Sequence, residues 1–249
     1  MSGDADNGYT LTWSLHNYWD ALSQYQSQVL RSIGYSATAT ILCFIIAFPL
    51  AYFIAFKAGR LKNFMLLLVV LPFFMSYVLR TVSWQLILAD GGWVVTRLQS
   101  LGLVGSGGRL LATRGAVIAG ITYNFLPFMA LPLYVSLEKI DRRLIEAATD
   151  LYASRTTAFR KVTLPLALPG LFAGTLLTFI PATGDFINAA LLGTPRQFMI
   201  GNVIQSKFLV IQDYPTAAAL SFILMTFILI GIFLYARILG ARTLTEAAL

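Results

Sequence analysis

The chain alternates between long apolar runs and shorter polar stretches. Five runs, at about 33–56, 64–88, 115–137, 165–192 and 215–239, are apolar on every face rather than along one stripe, the pattern of helices whose whole surface leaves water. The first covers 24 residues, roughly 36 Å as a helix at about 1.5 Å per residue, enough to cross a bilayer with some tilt. Pro49 predicts a kink in it, and Pro72 and Arg80 lie in the second run. The fourth is interrupted at Pro169-Gly170 and again at Pro181, Gly184 and Asp185. Such breaks are tolerated where neighbouring helices or a water-lined path satisfy the freed backbone groups, so this run reads as a pathway helix. The expected fold is an all-α integral membrane protein, a polytopic bundle of about five transmembrane helices over 33–239. An external or interfacial segment, 1–32, precedes it and a tail, 240–249, follows.

Composition agrees with this pattern. At 57% apolar and 12% charged residues, with a mean hydropathy of +0.74, the chain has too little polar surface to cover a soluble globule. The net charge of +7 raises nucleic acid as a partner, but the bases are dispersed between apolar runs instead of gathered on one polar face, which argues against it. The lone Cys43 excludes an intramolecular disulfide or a cysteine metal cluster, and His16 is the only histidine. The glycine-rich stretch 102–108 lacks the Lys-Ser/Thr ending of a phosphate loop and reads as an external connection. No basic start followed by an apolar run marks a signal peptide. His16, Tyr18, Trp19 and Tyr25 suggest a short helix lying at the membrane surface. The expectation is a non-enzymatic chain with no metal or cofactor of its own, whose energy source sits in a partner.

The polar stretch 138–164 holds six Lys or Arg and four Asp or Glu. Asp141 is placed to cap one short helix through Glu146, Ala147 and Ala148, and Ser154 to cap a second running to about Lys161. If this stretch is cytoplasmic, 11 bases fall inside and 6 outside, with Arg80 within a span. The positive-inside rule then puts the N-terminus outside and the C-terminus in the cytoplasm.

Glu146-Ala147-Ala148, three residues, Tyr152, nine residues and Val162-Thr163-Leu164-Pro165 follow the spacing EAA-x3-G-x9-I-x-LP. The stretch resembles the EAA loop of permease subunits of binding-protein-dependent ABC importers, the type I (MetI-like) class. Asp150, Ala153, Ser154 and Phe159 match its surroundings, and Tyr152 stands where that family has glycine. The resemblance implies an L-shaped pair of coupling helices, with Glu146, Ala147, Ala148, Asp150, Tyr152, Ala153, Ser154, Phe159, Leu164 and Pro165 at an ATPase subunit. It also implies a bacterial inner-membrane location and alternating access. The implied partners are a second, homologous permease, two ATPase subunits carrying ATP and Mg, and an extracytoplasmic binding protein. Phe48-Pro49-Leu50-Ala51-Tyr52, Leu126-Pro127-Phe128, Ile180-Pro181-Ala182 and Asp213-Tyr214-Pro215 are most similar to the spermidine/putrescine permeases, whose six-span design has one more helix in front. A permease of this class for phosphonate, iron or an anion is the alternative. A secondary transporter would carry its own coupling residues and often an inverted repeat, which the sequence does not display.

Asp185 is the one acidic residue within the five runs. A carboxylate is expensive in lipid and marks either a pathway or a partner. Two readings stand: a negative site for a passing polyamine, near Thr183, Asn188, Tyr77 or Trp84, or a structural ion pair with Arg80.

Overall fold

A computed structural model describes residues 2–4, 8–10, 16–102, 105 and 108–246, with side chains from 16 to 237 within those ranges. Apart from an antiparallel pair of three-residue strands, β1 (Ser2–Asp4) and β2 (Gly8–Thr10), its regular structure is helical. Among the described residues four helices are long and apolar enough to cross a membrane, and a pair bent by 95°, Gly59–Phe74 with Tyr77–Ser100, makes a fifth if it is one span.

Helix α1 runs over His16–Phe56. The surface helix and the first span, expected as separate elements, follow one another without an intervening loop but bend at Tyr25, inside the stretch expected to lie at the surface. Helical dihedrals lapse there (φ −112°, ψ 16°), and the helix resumes before Ile33, where the span was expected to begin. Pro49 lies inside the helix without ending it. The second span is divided: α2 (Lys62–Val70) tightens into a 3-10 turn over Leu71–Phe74, where Pro72 has no N–H to give. The chain is then extended at Met75 and Ser76 before α3 (Tyr77–Leu88). The polar region after it, expected as a loop, contains α4 (Trp93–Ser100).

Helix α5 (Arg114–Glu138) carries Pro127 and Pro132 and remains continuous. Then come α6 (Arg142–Asp150), α7 (Arg155–Ala158), a π turn over Phe159–Thr163 and α8 (Leu164–Thr183). The expected interruption at Pro169-Gly170 is absent. The glycine serves packing instead: a Cβ there would lie 2.4 Å from Ser136 Cβ and 2.5 Å from the Pro132 carbonyl. The break at Gly184-Asp185 does form, ahead of α9 (Ile187–Leu192). Two further elements follow, α10 (Ile200–Gln205) and α11 (Tyr214–Glu246). Ile200, Gly201 and Asn202 of α10 are buried, although 193–214 reads as a polar connection.

The chain packs as two units. The first comprises Met1–Ala39, Ser76–Asn124 and Ile180–Phe233; its core joins Ala21 and Val29 of α1, Ile200 of α10 and Ala219, Leu220 and Leu224 of α11. The second comprises Thr40–Met75, Phe125–Phe179 and Leu234–Leu249, tied by edge-to-face rings (Phe48 with Phe159, Phe73 with Phe128) and by the Lys62–Glu138 ion pair at 2.5 Å. Ile41, Ile45 and Phe53 of α1 and Phe222, Ile230 and Phe233 of α11 stand exposed. Acyl chains solvate such surfaces without penalty, whereas water would not.

Candidate functional sites

The EAA-like stretch folds as two short helices around a sharp corner. Asp141 sits extended at the N-cap of α6, and its carboxylate accepts from Arg143 N at 3.0 Å, satisfying one of the helix's orphan donors. Ser154 does the same for α7, its hydroxyl accepting from Thr157 N at 3.2 Å. Between them Ala153 N donates to Ala148 O (3.0 Å) and Tyr152 N to Thr149 O (2.9 Å). This is the Schellman pairing that closes a helix C-terminus, and it requires a left-handed residue at the turn. That residue is Tyr152, at φ 59°. The corner therefore keeps the conformation a glycine would supply, at about 1–2 kcal/mol for a side chain with a Cβ.

Glu146, Ala147 and Asp150 lie exposed on α6 and Ala148 is half-buried. The apolar side chains of the corner face outward: Leu151 is 82% and Tyr152 98% exposed. Arg142 anchors the stretch, its guanidinium donating to the Ala55 and Phe56 carbonyls at the end of α1, both at 3.3 Å. Expected as a separate helix ending near Lys161, α7 instead runs through the π turn into α8, forming one helical segment over Arg155–Thr183. Half-buried Phe159 packs on Phe48 at 5.6 Å, and Leu164 and Pro165, both half-buried, open α8. An apolar groove of about 790 Å³ lies between α5 and α8 and reaches Asp141 and Leu144.

In the first unit a polar cluster surrounds the break after α8. Asp185, 7% exposed, accepts from the Tyr77 hydroxyl, from Asn188 N at 2.8 Å and from Asn188 Nδ2 at 2.7 Å. Because a carboxylate only accepts, it fixes which end of the Asn188 amide faces it. Asn188 Oδ1 then points away and takes Asn124 Nδ2 at 3.1 Å, while the same Nδ2 donates to Thr81 Oγ1 at 3.1 Å. The orientation of Asn124 is thus inherited from Asp185 through one intervening amide. Its own Oδ1 is buried and has no hydrogen-bond partner among the described residues.

The broken backbone is held from three sides. Thr183 Oγ1 donates to Ser36 Oγ at 2.9 Å, Asn202 Nδ2 to the Phe186 carbonyl at 2.8 Å and Ile200 N to Ser32 Oγ at 2.7 Å. Gly201 lies so close that a Cβ on it would sit 2.4 Å from the Gly184 carbonyl oxygen.

Tyr77, Asp185 and Asn188 therefore meet directly, Thr183 turns toward α1, and Trp84 packs on Tyr123 at 5.4 Å instead of joining the cluster. The Arg80 guanidinium stands 5.6 Å from the Tyr77 ring centroid, and hydrogen bonds to the carboxylate include those from Tyr77 and Asn188. Asn124, Thr81, Ser32, Ser36, Gly201 and Asn202 complete the arrangement. For Ser36, Thr81 and Asn124 the signal was a small polar residue inside an otherwise apolar run, where a polar group must find a partner; Ser32, Gly201 and Asn202 lie outside the runs and carried no such signal.

Comparison with known proteins places these features in context. Residues 47–243 match the family described as binding-protein-dependent transport system inner membrane component. The spermidine/putrescine transport system permease protein PotB of Haemophilus influenzae is 38% identical over 238 residues, 95% of this chain and 83% of the relative. PotB of Escherichia coli is 35% identical over 237 residues, 95% and 86% respectively. Among solved structures, a bacterial ABC transporter involved in import of the acidic polysaccharide alginate superposes with a TM-score of 0.70 at 20% identity, covering 93% of this chain and 85% of that one. This last likeness speaks to the fold alone.

Proposed function

Starting from the fact that this chain belongs to the family of binding-protein-dependent transport system inner membrane components, we propose that it forms the translocation pathway of an ATP-driven importer of polyamines such as spermidine and putrescine. The identities of 38% and 35% to the PotB permeases across 95% of the chain support the substrate class. A buried carboxylate at a broken span suits a cationic cargo better than an anionic one. The chain works beside a second, homologous permease, two ATPase subunits that hold ATP and Mg, and an extracytoplasmic binding protein. It binds no cofactor and does no covalent chemistry itself. The split of 11 bases to 6 supports an N-terminus outside and a C-terminus in the cytoplasm of a bacterial inner membrane.

The observation that carries the coupling role is the capped helix–corner–helix over 142–158, whose apolar tip is exposed and whose second helix continues into a span. Glu146 to Lys161 docks the ATPase subunit there, and the small Ala147 and Ala148 allow close seating. Uptake of radiolabelled putrescine and spermidine by proteoliposomes holding the complete transporter tests the reading. Import should need ATP and binding protein and stop with vanadate, and Ala148→Glu should separate ATP hydrolysis from uptake. Transport of phosphonate, iron or an anion with no polyamine uptake would overturn the substrate class. Full coupling in Ala148→Glu would overturn the docking role.

A further inference from the structure

Left-handed backbone at a residue with a side chain is uncommon, and rarer still for a bulky one. Such a residue persists where the surrounding structure over-determines it or where the strain serves a function. Tyr152 occupies this conformation at φ 59° with both Schellman bonds made. The turn itself would form at least as readily with glycine, so hydrogen bonding at the corner gives no reason for an aromatic ring. Packing within the chain gives none either, because Tyr152 is 98% exposed. Leu151 beside it is 82% exposed, which makes a paired apolar tip on an otherwise charged loop flanked by Arg142, Arg143, Asp150 and Arg155. Water disfavours such a tip, and among the described residues no neighbour covers the ring.

We propose that Tyr152 is a partner-selecting anchor: its ring, projected from the corner by the left-handed turn, enters an apolar pocket on the ATPase subunit that serves this permease. The inference rests on the docking role proposed above and adds to it the residue that sets which ATPase is accepted. Tyrosine suits the task because it brings large contact area with few rotatable bonds and keeps a hydroxyl for a polar rim, the features that make aromatic residues dominate the energetics of interfaces. The left-handed turn explains the direction of projection. An ordinary αR residue at this position would extend α6 instead of ending it, and the ring would lie along the helix. The ring's partner is an ATPase with an aromatic-sized apolar hollow facing the loop. An ATPase matched to a glycine corner has no need of one and should seat poorly against the protruding ring.

The test uses the permease pair in lipid nanodiscs, titrated with the transporter's own purified ATPase subunit. Wild type, Tyr152→Gly, Tyr152→Asn, Tyr152→Phe and Ala148→Glu are compared. Glycine and asparagine both accept the left-handed turn, so these variants should fold at least as well as wild type, read as an unchanged or higher thermal midpoint of the permease pair. They should nonetheless bind the ATPase about tenfold or more weakly, the loss expected of a central aromatic anchor. Tyr152→Phe should retain affinity within about threefold, since the ring and not the hydroxyl fills the pocket. Tyr152→Gly binding as tightly as wild type, while Ala148→Glu abolishes binding, would overturn the anchor and leave the docking role intact. Normal binding in Ala148→Glu as well would overturn both. A ring that meets lipid headgroups instead would show as unchanged ATPase affinity in every Tyr152 variant, and that also refutes the proposal.

Discussion

Alanine at Gly201 probes how tightly the broken span is held. An ideal Cβ there would lie 2.4 Å from the Gly184 carbonyl oxygen, 3.0 Å from Gly184 C and 3.3 Å from Asp185 C. All three are backbone atoms, so no side chain can swing aside, and the carbonyl must retreat by about 1 Å to reach ordinary contact. Overpacking costs roughly 1–3 kcal/mol, and a 2.4 Å approach to backbone that cannot swing aside falls in the upper part of that range, about 2–3 kcal/mol. Alanine recovers up to about 1 kcal/mol of helix propensity in α10, leaving a net destabilisation of about 1–2 kcal/mol. For a chain of this size that lowers the thermal midpoint by roughly 2–8 °C. The functional loss should be larger in proportion, because the displaced Gly184 carries Asp185 with it. The carboxylate's bonds to Asn188, at 2.7 and 2.8 Å, do not survive a shift of that size. The control is Gly231→Ala on α11, where nothing lies within 4 Å of the new methyl and stability should hold or rise slightly. Thermal midpoints of the purified complex and initial rates of polyamine uptake, measured side by side, decide it. If Gly201→Ala matches Gly231→Ala in both, the close approach of α10 to the break is not a constraint and the account of the site is wrong.

Three further expectations follow from the same geometry. Ser154→Ala removes the cap of α7 and should cost about 1 kcal/mol, seen as roughly fivefold faster hydrogen exchange at the Thr157 amide; unchanged exchange would discount the cap. Asp185→Asn places a donor group against the Tyr77 hydroxyl and the Asn188 amide, so uptake should fall while the complex still assembles, with no recovery from Arg80→Gln; recovery would instead favour the ion pair. Outside the membrane, burial raises the Asp213 carboxyl, but hydrogen bonds from Lys207 and Thr216 outweigh it and hold it below the usual carboxylate range. The bond to Asp213 chiefly raises the Lys207 ammonium. A depressed acid stabilises above its unfolded pKa and loses that contribution as pH falls through the folded one; a raised lysine loses its contribution as pH climbs past its own. The pair, solvent-screened and worth a few tenths of a kcal/mol, should therefore act from about pH 4 to about pH 10. Asp213→Ala should abolish both flanks of that profile in thermal midpoints.

The apolar runs made the spans legible because each needs about twenty water-shunning residues, a demand few other folds impose. The caps at Asp141 and Ser154 were equally readable, since their chemistry is local. What escaped was non-local. Nothing in the residues around Tyr25 says whether a surface helix fuses with the span after it. Pro169-Gly170 looks like a breaker until Ser136 and Pro132 of α5 supply the close packing the glycine exists to permit. Likewise Asp185 was visible as a lone charge, but the Asn188-to-Asn124 chain that takes its orientation spans 64 residues of sequence. Trp84, offered with Asp185 as a residue along a polyamine's path, found an aromatic neighbour instead. Tyr152 could be seen to depart from the glycine pattern, yet only the backbone shows that the turn kept its handedness.

The continuity of α7 with α8 gives the loop a mechanical ratio. From the π turn, the input arm Arg155–Ala158 is about 6 Å long, and the output arm from Leu164 to Phe179 about 24 Å, at roughly 1.5 Å per residue. Phe159 packs against Phe48 at the turn, 5.6 Å between ring centroids. On the docking role proposed above, a tilt imposed at the short end is multiplied about fourfold at the far end, so an ångström of travel at α7 becomes about four at Phe179.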